Sequence, residues 1–145
     1  MYLLDTNIVS LIDPRRAAEA ARVVGWMREH DALLFLSTIT LTEIEAGILK
    51  LKREKKEARS RQLAALRDGL IADFKDRLLP LDVEVALTVA RLAEAIRPMV
   101  IERADLIVAA TAHVHGLTVL TRNVRHFEPV GVPVIDPTRS SPNVG

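Results

Sequence analysis

Short apolar runs alternate with longer stretches of helical periodicity along this chain of 145 residues. The apolar runs have the length of strands, whereas the stretches between them repeat apolar residues at the spacing of a helix. This alternation predicts an α/β fold in which a short, mostly parallel sheet is covered by helices on both faces. The predicted strands are 1–5, 33–36, 117–121 and 132–135, and the pattern leaves open a further short strand at 79–81.

Several helices can be bounded from their caps and breakers. One is expected over 16–29 with an apolar face at Ala18, Ala21 and Val24, and another starts near Thr40. A long helix then carries apolar residues at helical spacing from Leu63 to Leu78. Asp82 is the expected cap of the next helix, and Gly116 has the position of a glycine that ends one.

A single domain is predicted over residues 1–137. The chain shows no repeat and no second hydrophobic segment of domain size. Pro133 cannot donate to a sheet ladder, so the strand at 132–135 is expected at an edge. Residues 138–145 are rich in Ser, Pro and Gly and are expected to form a flexible tail.

Composition excludes several function classes. There is no cysteine, which rules out thiol catalysis, disulfides and thiolate metal sites. Aromatic residues make up only 3%, which disfavours stacking platforms for single strands. No apolar run is long enough to span a bilayer and the N-terminus lacks signal-peptide features, so we expect a soluble, cytoplasmic protein.

Net charge is only +1, so any nucleic-acid binding must come from a local basic patch. The densest candidate is 50–61, with seven Lys and Arg residues against two Glu. It can either hold RNA phosphates or serve as a solvated connection between helices, and the sequence leaves both readings open.

Three acidic residues stand where such a sheet would bring them together. Asp5 ends the first apolar run, Glu43 lies near the start of a helix, and Asp105 opens an almost uninterrupted apolar helix. Sites in open α/β sheets form at the carboxyl ends of the strands, near the point where strand order reverses. Adjacent carboxylates repel one another unless a cation or protons intervene. A divalent metal is the simplest explanation, and metal-assisted phosphodiester cleavage is the leading chemistry.

Four segments together resemble the PIN-domain ribonucleases, and more narrowly the VapC-type toxins of bacterial toxin–antitoxin pairs. Their order and spacing match from end to end of the chain. The segments are Leu3-Leu4-Asp5-Thr6-Asn7, Thr42-Glu43-Ile44-Glu45-Ala46-Gly47, Asp105-Leu106-Ile107-Val108-Ala109-Ala110-Thr111-Ala112 and Leu120-Thr121-Arg122-Asn123.

The resemblance implies an α/β/α sandwich, hydrolysis of RNA with Mg²⁺ (or Mn²⁺), and a cognate VapB-like antitoxin. It also implies a homodimer, which symmetric assembly favours independently. It assigns the metal-site acids to Asp5, Glu43 and Asp105. Asp5 and Asp105 are the expected direct ligands, and Glu43 either ligates or orients a metal-bound water.

One feature departs from the family. A fourth acid often follows the strand that ends here at Thr121, but the candidates in this chain are Asn123 and His126. Asn123 is predicted to belong to the catalytic group by holding a water or a phosphate oxygen. Thr121 is expected to line the pocket, and His126 is either an aid to proton transfer or an ordinary loop histidine. One metal is therefore favoured over two.

Each acid also has a purely structural interpretation. Asp5 can cap the helix that follows it, Thr40 to Glu43 has the pattern of a capping box, and Asp105 can complement a helix dipole. Two functional alternatives also stay open: a non-catalytic or attenuated PIN-like module that binds RNA or protein, and a nuclease of RNA processing.

Overall fold

The computed structural model describes residues 1–143 and contains a five-stranded parallel sheet in the order β3-β2-β1-β4-β5. β1 lies at the centre, with Leu3 opposite Phe35 of β2 on one side and opposite Val119 of β4 on the other. The strands are β1 Tyr2–Leu4, β2 Leu34–Ser37, β3 Leu78–Leu79, β4 Thr118–Leu120 and β5 Val134–Ile135. The strand predicted at 132–135 is present as an edge strand, as expected, but it covers only Val134–Ile135 and Pro133 precedes it.

Seven α-helices and five short 3-10 segments connect the strands within residues 1–143. The helices are α1 Thr6–Val9, α2 Ala17–Glu29, α3 Thr38–Arg53, α4 Glu57–Phe74, α5 Val83–Ala95, α6 Arg103–His115 and α7 Val124–Phe127. The 3-10 segments are Ser10–Ile12, Pro14–Arg16, Asp31–Leu33, Lys75–Arg77 and Glu128–Val130. No helix in this part of the chain has the length and apolar character needed to cross a membrane.

The side chains of β1 alternate between two separate hydrophobic cores, one on each face of the sheet. Tyr2 and Leu4 pack with apolar residues of α1, α2, α3 and α4, whereas Leu3 packs against α6 and α7 on the opposite face. Successive strand side chains point to opposite faces, and all three of these are buried. The predicted three-layer α/β/α sandwich is therefore confirmed.

Two predicted caps are confirmed by geometry. The Asp82 side chain accepts a hydrogen bond from Val85 N at 2.9 Å, and Gly116 ends α6 with φ +65°. The predicted capping box at α3 is wrong, because the helix begins at Thr38 and Ser37 is its cap. Glu43 therefore lies in the second turn, too far along the helix to serve the first amides.

The predicted apolar face of α2 is wrong at its alanines and right at Val24. Val24 is partly buried and packs against the core beside the buried Ala20, Val23 and Met27, whereas Ala18 and Ala21 are exposed. Alanines occur on nearly every side of this helix, so composition alone did not identify the side that packs.

The segment that follows β5, as far as Asn143, packs against β1 and α2. Arg22 donates to the carbonyls of Pro137 and Thr138 and to the Ser141 hydroxyl, at 2.8–2.9 Å. Tyr2 donates its hydroxyl to the Asn143 carbonyl. The domain boundary at residue 137 and the flexibility of 138–145 stay predictions, and the last two residues of that tail lie outside the described residues.

Candidate active site

The carboxyl ends of β1 and β4 meet at the point where strand order reverses. From β1 the chain proceeds outward to β2 and β3, then returns to β4 on the other side of β1. In open α/β sheets this reversal leaves a crevice between the connections that leave the two strands. Asp5 follows β1 and Thr121 follows β4, so both stand at this crevice.

Asp5 is a buried carboxylate that is held only by neutral donors. It is 6% exposed, and its Oδ1 accepts from Thr6 N at 2.8 Å while Oδ2 accepts from the Thr121 hydroxyl at 2.7 Å. Among residues 1–143 no basic side chain forms an ion pair with it. Burial raises the pKa of Asp5 above its usual value, because the two hydrogen bonds do not offset the loss of solvent and Asp105 adds repulsion.

The Thr121 hydroxyl connects the carboxyl ends of β1 and β4 through hydrogen bonds. This fully buried hydroxyl donates to Asp5 and accepts from Asn7 Nδ2 at 3.1 Å and from Asn123 N at 3.0 Å. Asn7 in turn accepts from Arg122 N at 3.1 Å. Every donor and acceptor of the hydroxyl is thereby used, which fixes the orientation of the Asp5 carboxylate.

Glu43 reaches the same region from α3. Its Oε1 accepts from the Thr6 hydroxyl at 2.6 Å, and the Thr40 hydroxyl lies 3.3 Å from Thr6 Oγ1. Desolvation of the carboxylate raises the pKa of Glu43, and the charges of Asp5 and Asp105 raise it further against the effect of Thr6. The side chain thus serves neither as a helix cap nor as a surface ion pair.

Asp105 and His126 form a pair on the opposite side of the crevice. His126 Nδ1 lies 2.8 Å from Asp105 Oδ2, with the carboxylate side chain 17% exposed and the histidine side chain 52% exposed. Asp105 is the third residue of α6 rather than its first, because that helix begins at Arg103. His126 belongs to α7 and contacts an acid of the site, so its interpretation as an ordinary loop histidine is wrong.

Asn123 stands in the same loop and is connected to the acids through its backbone. Its amide donates to Thr121, and its exposed side chain makes no capping hydrogen bond to α7. The carboxamide is therefore available to a ligand in the crevice, and the catalytic role of Asn123 stays a prediction.

The acids lie close enough to influence one another, yet they do not form a closed metal cage. In the described part of the chain no three acid or histidine side chains are arranged to hold a metal ion as they stand. The donor set is made of hard carboxylate oxygens, and Asp5 is a buried anion with no cation of its own. Both properties suit Mg²⁺, which takes one or two carboxylates and keeps several waters.

The sequence pointed to the acids and missed the groups that hold them. Thr6, Asn7 and Thr40 were not among the predicted site residues, yet each belongs to the hydrogen-bond network around Asp5 and Glu43. The available signal was the run of polar residues directly after a buried strand, Asp5-Thr6-Asn7. A helix start explains such a run equally well.

Comparison with known proteins gives a family match and curated relatives of similar length. The profile of the PIN domain matches residues 2–132. Plasmid stability protein StbB of Pseudomonas syringae pv. tomato is 37% identical, covering 94% of this chain and 98% of its own. Toxin FitB of Neisseria gonorrhoeae is 35% identical with the same coverage, and VapC ribonuclease Y4jK of Sinorhizobium fredii is 31% identical over 94% and 97% of the two chains.

Solved structures share the fold. A chain in the crystal structure of FitAcB from Neisseria gonorrhoeae superposes with a TM-score of 0.76 at 33% identity, covering 94% of this chain and 98% of that one. A chain of a toxin–antitoxin complex from Klebsiella pneumoniae gives a TM-score of 0.59 at 27% identity, with coverage of 94% and 98%.

Proposed function

Because the chain belongs to the PIN domain family, we propose that it is an endoribonuclease that acts as the toxin of a toxin–antitoxin pair. A relative of matching length is named a VapC ribonuclease, and another is named a toxin. The observation that carries the proposal is Asp5, a buried carboxylate at the sheet's switch point that forms no ion pair with any basic side chain in the described part of the chain. Such a group is unfavourable unless it serves to bind something positive.

Ribonucleases of the PIN family work with a divalent metal, and we propose Mg²⁺ here, with Mn²⁺ as a substitute of the same ligand preference. Asp5 and Asp105 would hold the ion directly, and Glu43 would either ligate or position a water. A bound divalent ion supplies charge neutralisation for the phosphate under attack and lowers the pKa of a coordinated water.

The remaining residues of the crevice prepare the acids for that task. Thr121 and the Thr6 amide hold the two oxygens of Asp5 in one orientation, so no rotation is needed when a cation arrives. Thr6 does the same for Glu43 through its hydroxyl. Asn123 is proposed to hold a water or a phosphate oxygen. His126 orients Asp105 from the solvent side.

We propose a VapB-like antitoxin as the protein partner, since similar chains occur in solved toxin–antitoxin complexes. A groove of about 390 Å³ between α2 and α4 suits an apolar helix of such a partner. Its floor is apolar, and Arg28, Asp31 and Asp73 stand on its walls. The apolar lining consists of Ile12, Val24, Met27, Leu34, Ala65, Leu66, Leu70 and Phe74.

We further propose a homodimer that acts in the cytoplasm, where its RNA substrate is found. Large apolar side chains are exposed at the start of α5, with Val83 at 78% and Leu87 at 52%, and Leu81 stands next to them. Val83 and Leu87 are one helical turn apart and share a face. A self-complementary interface at this face fits twofold assembly.

Cleavage of a total RNA pool by the purified, antitoxin-free protein tests the proposal. Discrete fragments are expected with Mg²⁺, none with EDTA, and recovery when Mg²⁺ is restored in excess. Fragments that persist in EDTA would contradict metal dependence. Intact RNA in every condition, with binding retained, would favour a non-catalytic RNA-binding PIN module instead.

A further inference from the structure

A basic cleft adjoins the acidic crevice on the side of α7. It has a volume of about 610 Å³, and its lining includes Arg122, Asn123, Arg125, His126, Thr138 and Arg139. We call this set the basic cleft. Two acids, Glu128 and Asp136, stand on the same walls, so the arginines outnumber the carboxylates by one.

The basic cleft is in direct contact with the acidic site. His126 touches Asp105 through Nδ1, and the Arg122 and Asn123 amides donate to Asn7 and Thr121. Its near wall is therefore one hydrogen bond away from Asp105, and Thr121 alone separates it from Asp5. A polyanion that presents one phosphate to the acids can therefore place a neighbouring phosphate in this cleft.

The arginines of the cleft are not used by the fold. Arg122, Arg125 and Arg139 are exposed, and none of them forms an ion pair within residues 1–143. Some other arginines are used by the fold, since Arg59 pairs with Asp13 at 2.7 Å and Arg77 pairs with Asp31 at 2.9 Å. Arg53 and Arg61 resemble the cleft arginines in being exposed and forming no ion pair within residues 1–143, but they lie outside the cleft. Free guanidinium groups present a planar fork that matches phosphate oxygens.

One of the two opposing acids, Asp136, is engaged by the fold, whereas Glu128 is exposed like the arginines. Asp136 Oδ1 accepts from the Thr138 amide at 2.9 Å and from the Thr138 hydroxyl at 2.6 Å. These bonds build the turn that carries Arg139 to the rim of the cleft. Asp136 thus shapes the cleft, while the positive groups stay exposed.

The other basic region of the molecule is less suited to the same task. In the segment 50–61, Arg59 is taken by Asp13, and Lys50 and Lys56 both pair with Glu54. The segment also lies at the far end of α3, a helix of 16 residues that starts at the site. At about 1.5 Å per residue, Lys50 lies roughly 10 Å from Glu43 along the helix and Arg53 roughly 15 Å.

We propose that the basic cleft binds the phosphates of the RNA strand next to the bond that is cut, with Arg125 and Arg139 as the main contacts. This inference rests on the proposed ribonuclease function. It adds the direction in which the RNA strand extends from the acidic site, which is toward α7. The contacts are to the backbone, so they set affinity and register without reading base sequence.

The test is the binding of a fluorescently labelled, mixed-sequence single-stranded RNA in EDTA, which prevents cleavage. Arg125→Gln with Arg139→Gln is compared with a matched pair of exposed arginines, Arg53→Gln with Arg61→Gln. At about 0.1 M salt the cleft pair should weaken binding by about tenfold and reduce the slope of log K against log salt by about 1.4. The control pair should change affinity by less than about twofold.

A charge-conserving variant separates phosphate binding from a structural role. Arg125→Lys with Arg139→Lys should restore most of the affinity, because lysine binds phosphate as a point charge. All variants should unfold at the wild-type temperature, which circular dichroism checks. Loss of affinity in the lysine pair as severe as in the glutamine pair would overturn the assignment.

Other outcomes also decide. Unchanged RNA affinity in the glutamine pair, or a larger loss in the control pair, overturns the proposal even if the wild type cleaves RNA. Unchanged RNA affinity together with weaker capture by the antitoxin would assign the cleft to a protein. Cleft-dependent binding by a wild type that never cleaves with Mg²⁺ would refute the proposed nuclease and leave the cleft standing.

Discussion

Asp5 and Asp13 belong to the same short stretch of chain and have opposite environments. Asp5 is buried among hydroxyl and amide donors, and its pKa is raised. Asp13 accepts from the Arg15 amide and pairs with Arg59, and its pKa is lowered because these interactions exceed the effect of desolvation. The fold supplies a cation to one aspartate and withholds it from the other. The carboxylate left without a cation is the one that we propose as a metal ligand.

The largest expected effect is on catalysis. Asp5→Asn should reduce RNA cleavage by at least about 100-fold, since it removes a proposed metal ligand, whereas Asp13→Asn should leave cleavage nearly unchanged. Initial rates on the same RNA, with circular dichroism to confirm folding, measure both. If both variants lose the same amount of cleavage activity, the difference between Asp5 and Asp13 concerns folding and not catalysis.

The acid side of the pH profile should show the raised pKa of Asp5. The carboxylate must be ionised to hold a cation, so cleavage should fall by about tenfold per pH unit once the pH drops below that raised value. More Mg²⁺ should move this limb to lower pH, because the ion competes with the proton for the same oxygens. If the acid side of the profile does not change with Mg²⁺ concentration, the titrating group is not Asp5.

Asp13→Asn should act on stability instead. Removing its ion pair should lower the free energy of unfolding by about 1 kcal/mol at neutral pH. The pKa of Asp13 is lowered in the folded state. Its contribution is therefore present above the pKa of the unfolded chain and is lost as the pH falls through the folded-state value. Urea unfolding at about pH 7 and about pH 3 should show a smaller difference between variant and wild type at the lower pH.

Glu43→Gln should produce the smallest change, and of opposite sign. The pKa of Glu43 is raised, so its ionised form destabilises the folded protein above that value and the effect fades as the pH falls through it. Glutamine keeps an acceptor for Thr6 without the charge. The metal-free variant should be more stable at neutral pH by at most about 0.5 kcal/mol, measured by urea unfolding in EDTA. A metal-free variant less stable than wild type would contradict repulsion among the acids.

The sequence was sufficient for the layers of the fold and for the strand ends. The runs at Tyr2–Leu4 and Thr118–Leu120 are short and apolar because both faces of each strand are buried, and this pattern is visible without coordinates. The packed side of α2 was not visible, since its alanines offer several equivalent faces. Tertiary packing against β1 selected Ala20, Val23 and Met27.

The candidate site was predictable only in its charges. Asp5, Glu43 and Asp105 were identified by type and position. The hydrogen bond from Thr121 to Asp5 and the contact of His126 with Asp105 join residues far apart in the chain. Such pairings depend on the strand order, and several side-chain arrangements satisfy the same sequence. A threonine at a strand end carries no local sign that it will orient a carboxylate.

The bond between Asp5 and Thr121 also has a consequence for biosynthesis. The central strand β1 is translated well before its neighbour β4, because β2, β3 and the helices α1 to α6 lie between them in the chain. Until then Asp5 lacks the hydroxyl that orients it and the sheet lacks the wall that buries it. We expect a ribosome-bound chain ending before β4 to have no assembled site, so nuclease activity requires that β4 and Thr121 have been translated. The order of the strands in the chain thus delays assembly of the site until β4 has been made.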